Sequence, residues 1–531
     1  MSRKSLCLLL VFVLFTACTG FASANGEALD SWVTPEKKTL TFLTHSGYNS
    51  DTPPITNDLP KYKELERLTN VHIEFEVILT SEFSSIVNVR IASGENLPDI
   101  ICYNGDLSKL SELVDDGVII SQDDLYEKCY PYTQALIAGE SPYSREEYKS
   151  LYSDMSVNGV FYGPTHIVPA RTQQQGLMIN KFWLERLGLE MPTTVDELYD
   201  VLVAFRDQDA NGNGDPSDEI PLVSESYCLS VIANYFGLEF GGSASGWSAA
   251  DGKITYERAT ENYREFLRYM NKLYNEKLLD ADFMKTDLDA LNEYAANDKC
   301  GVINWWIQSM DKFSAYSPYS GEGYNLDVPV FPALPPLTSA LGGGYIYNRK
   351  GNNNDMMVIT TACKNPELAA RWIDYVFAAP ESMDIVSYGV LGESYNIVDG
   401  KIEHIFDESG AWLRTKVGGG QQPHAYIENN EYLTQLASAW KVERWAELDE
   451  YYKEGTVYNL RLLPDEAQTI ADNSSDLSTY VDEAYTAFIL GTKDINDDGA
   501  WQEYQDTLKR LGLDIYTQMY QQAYDRAYVV K

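Results

Sequence analysis

Positive charge is scarce in this chain: 41 Lys and Arg stand against 79 Asp and Glu, a formal net charge of −38. A phosphate backbone would meet repulsion instead of counterion release, so nucleic acid is excluded as a partner. The same field disfavours uronic-acid polymers, since no dense basic run offsets it, and favours a neutral or cationic partner. Histidine is scarcer still. The five residues His45, His72, His166, His404 and His424 form no HxxxH or HExxH pair, and no G-x-S-x-G elbow is present. Among 79 acidic residues a glycosidase-like carboxylate pair has no specificity. No catalytic residue is therefore nominated, and the chain is not expected to be an enzyme. The Gly-rich stretches 342–344 and 418–420 lack the Lys-Ser/Thr of a phosphate cradle and read as turns. Cysteine is sparse and contains no CxxC. With Cys7 and Cys18 set aside, Cys102, Cys129, Cys228, Cys300 and Cys363 signal neither a zinc ribbon nor a disulfide scaffold and read as small core residues. Beyond the N-terminus no apolar run is long enough to span a bilayer.

What is present is ample core material: 531 residues, 44% hydrophobic, enough for three to four domain-sized units or two large lobes. Ser2-Arg3-Lys4 followed by apolar Leu6–Phe15 is a secretory signal, too short to remain as a membrane helix. Two processing sites compete within residues 1–24. Phe15-Thr-Ala-Cys18 resembles a bacterial lipobox, which would make Cys18 a lipid anchor, and Ala22-Ser-Ala24 suits ordinary signal peptidase and plain secretion. Residues 18–37 then form a polar tether holding a soluble body at the extracellular face of the membrane.

From Lys38 the patterning reads β-α-β: an alternating strand at 39–44, a helix at 59–70, a strand at 71–77, then a helix at 81–93 and a strand at 98–102. Strands alternating with helices imply a mainly parallel sheet covered on both faces, hence an α/β lobe. Helical stretches at 255–295, 364–378, 431–453 and 476–527 dominate the remainder. The expected division is an N-terminal lobe at 38–165, a C-terminal lobe at 166–310, a crossover and return at 311–390, and a helical closing part at 391–531.

Thr194-Val-Asp-Glu197 is a capping box, and Leu198, Val201, Leu202 and Phe205 recur at helical spacing, so a helix should end near Arg206. It runs into Asp207-Gln-Asp-Ala-Asn-Gly-Asn-Gly-Asp-Pro-Ser-Asp-Glu219. Asp and Asn oxygens at i, i+2 and i+4 followed by Gly are how a tight loop wraps a hard cation, because Ca²⁺ takes six to eight oxygens at roughly 2.3–2.6 Å. One register uses Asp209, Asn211 and Asn213 with the Asp215 carbonyl; the other starts at Asp207. Either way a structural Ca²⁺ is expected. The segment entering Ile220–Val223 reads as a strand, making the unit helix-loop-strand and not a complete EF-hand. Asp494, Asn496, Asp498 and Gly499 repeat the spacing weakly and read as a helix-opening turn.

Aromatics are plentiful: 38 Tyr, 18 Phe and 10 Trp. Tyr and Trp combine a flat apolar face with a polar edge, which suits cores and the stacking of sugar rings alike. Trp305-Trp306 ends a strand-like run, where neighbours point to opposite faces, so one of the two could line a cleft. Trp247, Tyr316 and Tyr345, with Tyr319 and Tyr347, lie in loop-like stretches and are further candidates.

Several blocks together resemble one family. They are Ile91-Ala-Ser-Gly-Glu-Asn-Leu-Pro-Asp-Ile100, the segment 178–198 running into 209–221, Tyr388-Gly-Val-Leu-Gly-Glu393 with Asp399-Gly400, and the C-terminal 511–526. They are similar to the extracellular solute-binding proteins of ABC importers (family 1), the large lipoprotein-type sugar binders of Gram-positive bacteria. The resemblance implies two α/β lobes of the periplasmic-binding-protein type (type II-like) with solute in an interlobe cleft. It also implies a calcium site at Asp209, Asn211, Asn213, Asp215, Asp218 and Glu219, although this chain carries one residue more before Asp218-Glu219 than the commoner form. The segment 169–175 would reach the cleft, which adds Arg171 and Gln173 to the ligand candidates. The implied partners are an oligosaccharide, a neutral one on the charge argument, and the permease subunits. The protein is expected to be monomeric and to touch the membrane only through its lipid. A peptide or other small solute on the same scaffold is the alternative, and a secreted glycan-degrading enzyme a third reading.

Overall fold

The computed structural model describes residues 33–526 except 47–52, 106, 158, 169–173, 241–245, 322–324, 348–350, 354, 399–400, 408–411, 420–423, 428–436, 454, 458–461, 464, 467–468 and 471–476. Cys18, the signal and most of the tether, and Arg171 and Gln173, lie outside the described residues.

The chain opens with β1 (Lys38–His45), α1 (Pro60–Thr69), β2 (Val71–Ile78), α2 (Thr80–Ser93) and β3 (Ile100–Tyr103), within two residues of the elements expected from periodicity. Local chemistry sets the ends. Pro60 opens α1, where its missing N–H costs nothing, and Asn70 closes it in the left-handed conformation at φ 56°, as Gly94 does for α2 at φ 65°. β1 pairs in parallel with β2, Lys38 opposite Val71, and with β3, Phe42 opposite Ile100. Phe42, Leu43, Thr44 and His45 are all buried, as a sheet covered on both faces requires.

A short strand β4 (His166–Val168) then leads out of this lobe, and β5 (Gln175–Ile179) begins the second. There α3 (Val195–Asp207) starts on the expected capping box, with both reciprocal hydrogen bonds present, and is followed by β6 (Ile220–Ser224), α4 (Glu261–Asn275) and β7 (Cys300–Trp306). The second sheet has the order β5-β7-β6. β7 is parallel to β6 but antiparallel to β5, so this sheet is mixed. The return passes through β8 (Gly351–Asn353), antiparallel to β4, and ends in β9 (Met356–Ile359), which adds to β3 in antiparallel register. α5 (Pro366–Ala378) covers this first sheet.

Packing locates the crossings. Ile167 belongs to the first core, while Phe313, Val330, Phe331 and Leu337 belong to the second-lobe cores, so the return comes at β8, inside the 311–390 segment read as crossover and return. Ala425 and Ile427 remain with the first core, whereas Leu477, Phe488, Trp501 and Leu508 of the closing helices pack into the second. The segment 391–531 is thus shared between lobes. Crossings are set by which sheet edge accepts a strand, information that hydrophobic periodicity does not carry. β4 and β8 lie side by side, and Ile167 N–H also donates to the Tyr426 carbonyl at 2.9 Å, so the path between lobes is a hydrogen-bonded ribbon. Among the described residues no helix is long and apolar enough to cross a membrane.

Candidate functional site

A cavity of about 210 Å³ lies where β5 begins and β7 ends, lined from the second lobe. Gln174, Gln175 and Gly176 form one wall. Trp306 and Ile307 form a second, Tyr227, Ser230, Asn234 and Tyr235 of the 3₁₀ segment Ser226–Phe236 a third, and Tyr345 and Tyr347 the rim. The walls are tied together: Ile307 N–H donates to the Gln174 carbonyl at 2.8 Å, and Trp306 Nε1–H donates to the Tyr227 hydroxyl at 3.1 Å. Asn234 bonds the backbone of Phe240 in both directions, at 2.7 and 2.9 Å, which fixes the end of the 3₁₀ segment.

No charged side chain lines this cavity among the described residues. Lys453 Nζ sits outside it, 4.6 Å from the centroid of the Tyr345 ring and 5.9 Å from that of Tyr347. Burial pushes the phenols of Tyr227, Tyr235 and Tyr347 up, so all three stay neutral hydroxyls able both to donate and to accept. Aromatic faces, amides and hydroxyls without charge form a surface for a polyhydroxylated neutral solute.

Alternation along β7 separates the tryptophan pair. Trp306 reaches the cavity, while Trp305, 9% exposed, packs with Met310, Phe313 and Val330. Tyr345, 45% exposed, stands at the rim, and Tyr347 joins it. Trp247 is not a cavity residue: it stacks on Tyr520 at 4.6 Å and Tyr256 at 4.8 Å, locking the hairpin Trp247–Tyr256 onto the C-terminal helix. Tyr316 lies at the end of the helix Met310–Tyr316, its ring 5.9 Å from Lys312 Nζ and away from the cavity. Tyr319 stacks on Phe182 at 4.6 Å and supports the acidic loop. Gln174, Tyr227, Ser230 and Tyr235 were not singled out from sequence. The 3₁₀ segment has apolar residues on every side and so no period to flag it, whereas Gln174 falls in the 169–175 segment read as reaching the cleft.

The acidic loop follows α3 directly and leads into β6. Gly212 and Gly214 take φ 76° and 94°, the left-handed turns the motif requires, and a Cβ on Gly212 would meet Arg186 Nε at 2.8 Å. Asp209 Oδ2 accepts from Gly214 N–H at 2.9 Å, Asn211 Oδ1 from Asn213 N–H at 2.9 Å, and Asn213 Oδ1 from Asp215 N–H at 2.7 Å. Asn211 and Asn213 both point their amide groups at Asp218. Two buried carboxylate oxygens, Asp209 Oδ1 and Glu219 Oε2, have no hydrogen-bond partner, and burial raises the Glu219 carboxyl above its ordinary range. Uncompensated buried oxygens converging on one loop fit an oxygen-liganded cation. A register beginning at Asp207 would compete with an ion pair. Both oxygens of that carboxylate are taken by Arg206, at 2.7 and 2.9 Å. The Asp215 side chain is exposed and accepts from Ser217 N–H at 3.1 Å and from the Ser217 hydroxyl at 2.6 Å. In the second loop Asp497 caps the helix Asp498–Arg510, and Asp498 pairs with Arg264 at 2.7 Å, consistent with the helix-opening turn expected there.

The profile of the bacterial extracellular solute-binding protein family matches residues 54–383, more than half of the chain. The chain belongs to that family. A fructooligosaccharide ABC transporter substrate-binding protein, FusA of Streptococcus pneumoniae serotype 4, is 29% identical over 99% of this chain and 98% of its own. Lipoprotein LipO of Bacillus subtilis is 26% identical over 82% of this chain and 83% of its own. Among solved structures, S. pneumoniae FusA in complex with kestose superposes with a TM-score of 0.75 at 25% identity, covering 93% of this chain and 100% of that one. A FusA EF-hand mutant in complex with fructo-nystose gives 0.74 at 25% identity, with the same coverage. Alginate-binding protein AlgQ2 without calcium ion gives 0.73 at 23% identity, covering 93% and 99%, a likeness of fold. The two-lobed α/β architecture expected from the family resemblance is the one observed. FusA is a transporter substrate-binding protein and AlgQ2 an alginate-binding protein.

Proposed function

We propose that this protein is the extracellular capture component of an ABC importer, holding a neutral oligosaccharide between its lobes and presenting it to membrane permease subunits. The observation that carries the reading is the uncharged second-lobe cavity of Trp306, Tyr227, Tyr235 and Gln174. The near full-length match to a fructooligosaccharide binder supports it. An aromatic face with amides and hydroxyls around it suits a sugar ring, and a net charge of −38 disfavours uronic-acid chains. Capture needs no bond chemistry: solute touching both lobes favours the closed arrangement by its differential affinity for closed over open. Ca²⁺ held by Asp209, Asn211, Asn213, Asp218, Glu219 and the Asp215 carbonyl would supply local neutralisation and tie α3 to β6. Cys18, acylated at the lipobox, would keep the body at the extracellular face, in line with the similarity to LipO. The test is calorimetric titration of the chain lacking residues 1–24 with neutral and uronic oligosaccharides, with product analysis after incubation. Binding of a neutral glycan without cleavage is expected. Binding confined to peptides, or release of sugar fragments, would overturn the reading.

A further inference from the structure

A different constellation lies inside the first lobe, away from both the cavity and the acidic loop. β1 ends on His45, β3 carries Cys102, and Asp355 immediately precedes β9. The parallel pairing of β1 with β3 and the antiparallel pairing of β3 with β9, Met357 opposite Cys102, bring these three positions to one end of the sheet. All three side chains are buried, with His45 and Cys102 at 0% and Asp355 at 2% exposure. An imidazole nitrogen, the thiol sulfur and a carboxylate oxygen all lie within 4.8 Å of one another, with His45 Nε2 3.2 Å from Asp355 Oδ1. The Phe83 ring closes one side, edge-on to His45 at 5.4 Å. Cys102 alone among the described cysteines belongs to such a cluster.

We propose that His45, Cys102 and Asp355 are three ligands of a borderline-soft divalent cation of the zinc class. A tetrahedral ion with bonds of about 2.0–2.3 Å holds its ligand atoms roughly 3.3–3.6 Å apart, inside the spread found here. The donor set selects the metal: one sulfur and one nitrogen suit zinc and its analogues and are poor ligands for the hard Ca²⁺ of an all-oxygen loop. Charge closes as a buried site demands, because one thiolate and one carboxylate balance a divalent ion while the imidazole stays neutral. The ion would bind together three chain segments far apart in sequence. Asp355 follows β8, so it would also anchor the interlobe ribbon to the end of the first sheet.

The test uses Co²⁺ and Cd²⁺ as probes on the chain lacking residues 1–24, with Ca²⁺ saturating the acidic loop. Because the cluster is buried, the probe is added both to folded protein and during refolding from denaturant. The expected result is one probe ion per chain, a sulfur-to-metal charge-transfer absorption, and a raised Tm. Cys102→Ser is expected to abolish the absorption, and Cys363→Ser, at the partly exposed thiol, to leave it unchanged. The acidic loop has no sulfur and cannot produce the signal. Absence of the absorption in the unsubstituted protein under both protocols would overturn the proposal, whatever the stability of the variants. An absorption that survives Cys102→Ser would do the same.

Discussion

Trp305 and Trp306 differ in what alanine would remove. At Trp305 it would empty a site enclosed by Met310, Phe313 and Val330, a large-to-small change in a core that costs about 3–5 kcal/mol. At Trp306 it would strip a wall from an open cavity, with a far smaller stability cost. Chemical denaturation of the two variants side by side checks this. In the acidic loop, Asp209→Ala should remove the stabilisation that Ca²⁺ confers, because its Oδ1 is one of the two unpartnered buried oxygens. Asp207→Ala, at a carboxylate already paired with Arg206, should retain it, and melting with and without a chelator separates the cases. Buried titratable groups set the pH response. Burial lifts Glu257 from 4.5 to about 7, so between those values the folded state keeps a proton that the unfolded chain has lost, and stability falls as pH rises through that window. Glu257→Gln should flatten this fall. Burial, aided by Lys61, lowers His424 from 6.5 to about 3, so here the unfolded chain binds the proton first and stability is lost as pH falls through that range. Tm profiles against pH for the unsubstituted protein and for Glu257→Gln test the two signs. Residue types legible at this scale were those with a pattern around them: the alternating Asp and Asn of the loop, and the tryptophan pair on a strand. Which register the loop adopts depends on Arg206 reaching its neighbour, and Trp247 lies outside the cavity because Tyr520 stacks on it from nearly three hundred residues away.

At the scale of elements, Gly342–Gly344 is more than a turn. All three take positive φ, and a Cβ on Gly343 would stand 2.6 Å from the Tyr235 carbonyl and 2.7 Å from that of Leu337. The glycine thus seats the turn directly against the backbone of a cavity wall. Gly343→Ala should both destabilise the protein, by about 1–3 kcal/mol for strain at a special φ, and weaken solute binding by displacing Tyr235. Denaturation and titration of the same preparation measure the pair of effects. β1, α1, β2, α2 and β3 were readable because each has a clean period and a marked end, Pro60, Asn70 or Gly94. The 3₁₀ segment Ser226–Phe236 was not, since Cys228, Leu229, Val231, Ile232 and Phe236 are buried on every side of it. β4 and β8 escaped notice for another reason. Each is only three residues long and is defined by long-range pairing, β4 with β8 and also with the backbone at Tyr426.

For the whole molecule, two sheets with separate cores are joined by adjacent crossing strands, and the cavity sits on the second-lobe side of that junction. Sequence reading reached the two-lobed class through family blocks such as 178–198. The point of return within 311–390, and the packing of Phe313, Val330, Leu337 and the helices of 477–526 into the second lobe, follow from long-range packing alone. Capture as proposed requires that a neutral sugar ring is held against Trp306. It is tested most directly by titrating a neutral fructooligosaccharide into the unsubstituted protein and into Trp306→Ala under identical conditions with Ca²⁺ present. The prediction is saturable binding to the first, weakened about ten- to thirty-fold in the second as an aromatic anchor of roughly 1.4–2 kcal/mol is lost, with both proteins folded. Equal affinity in the two would contradict it.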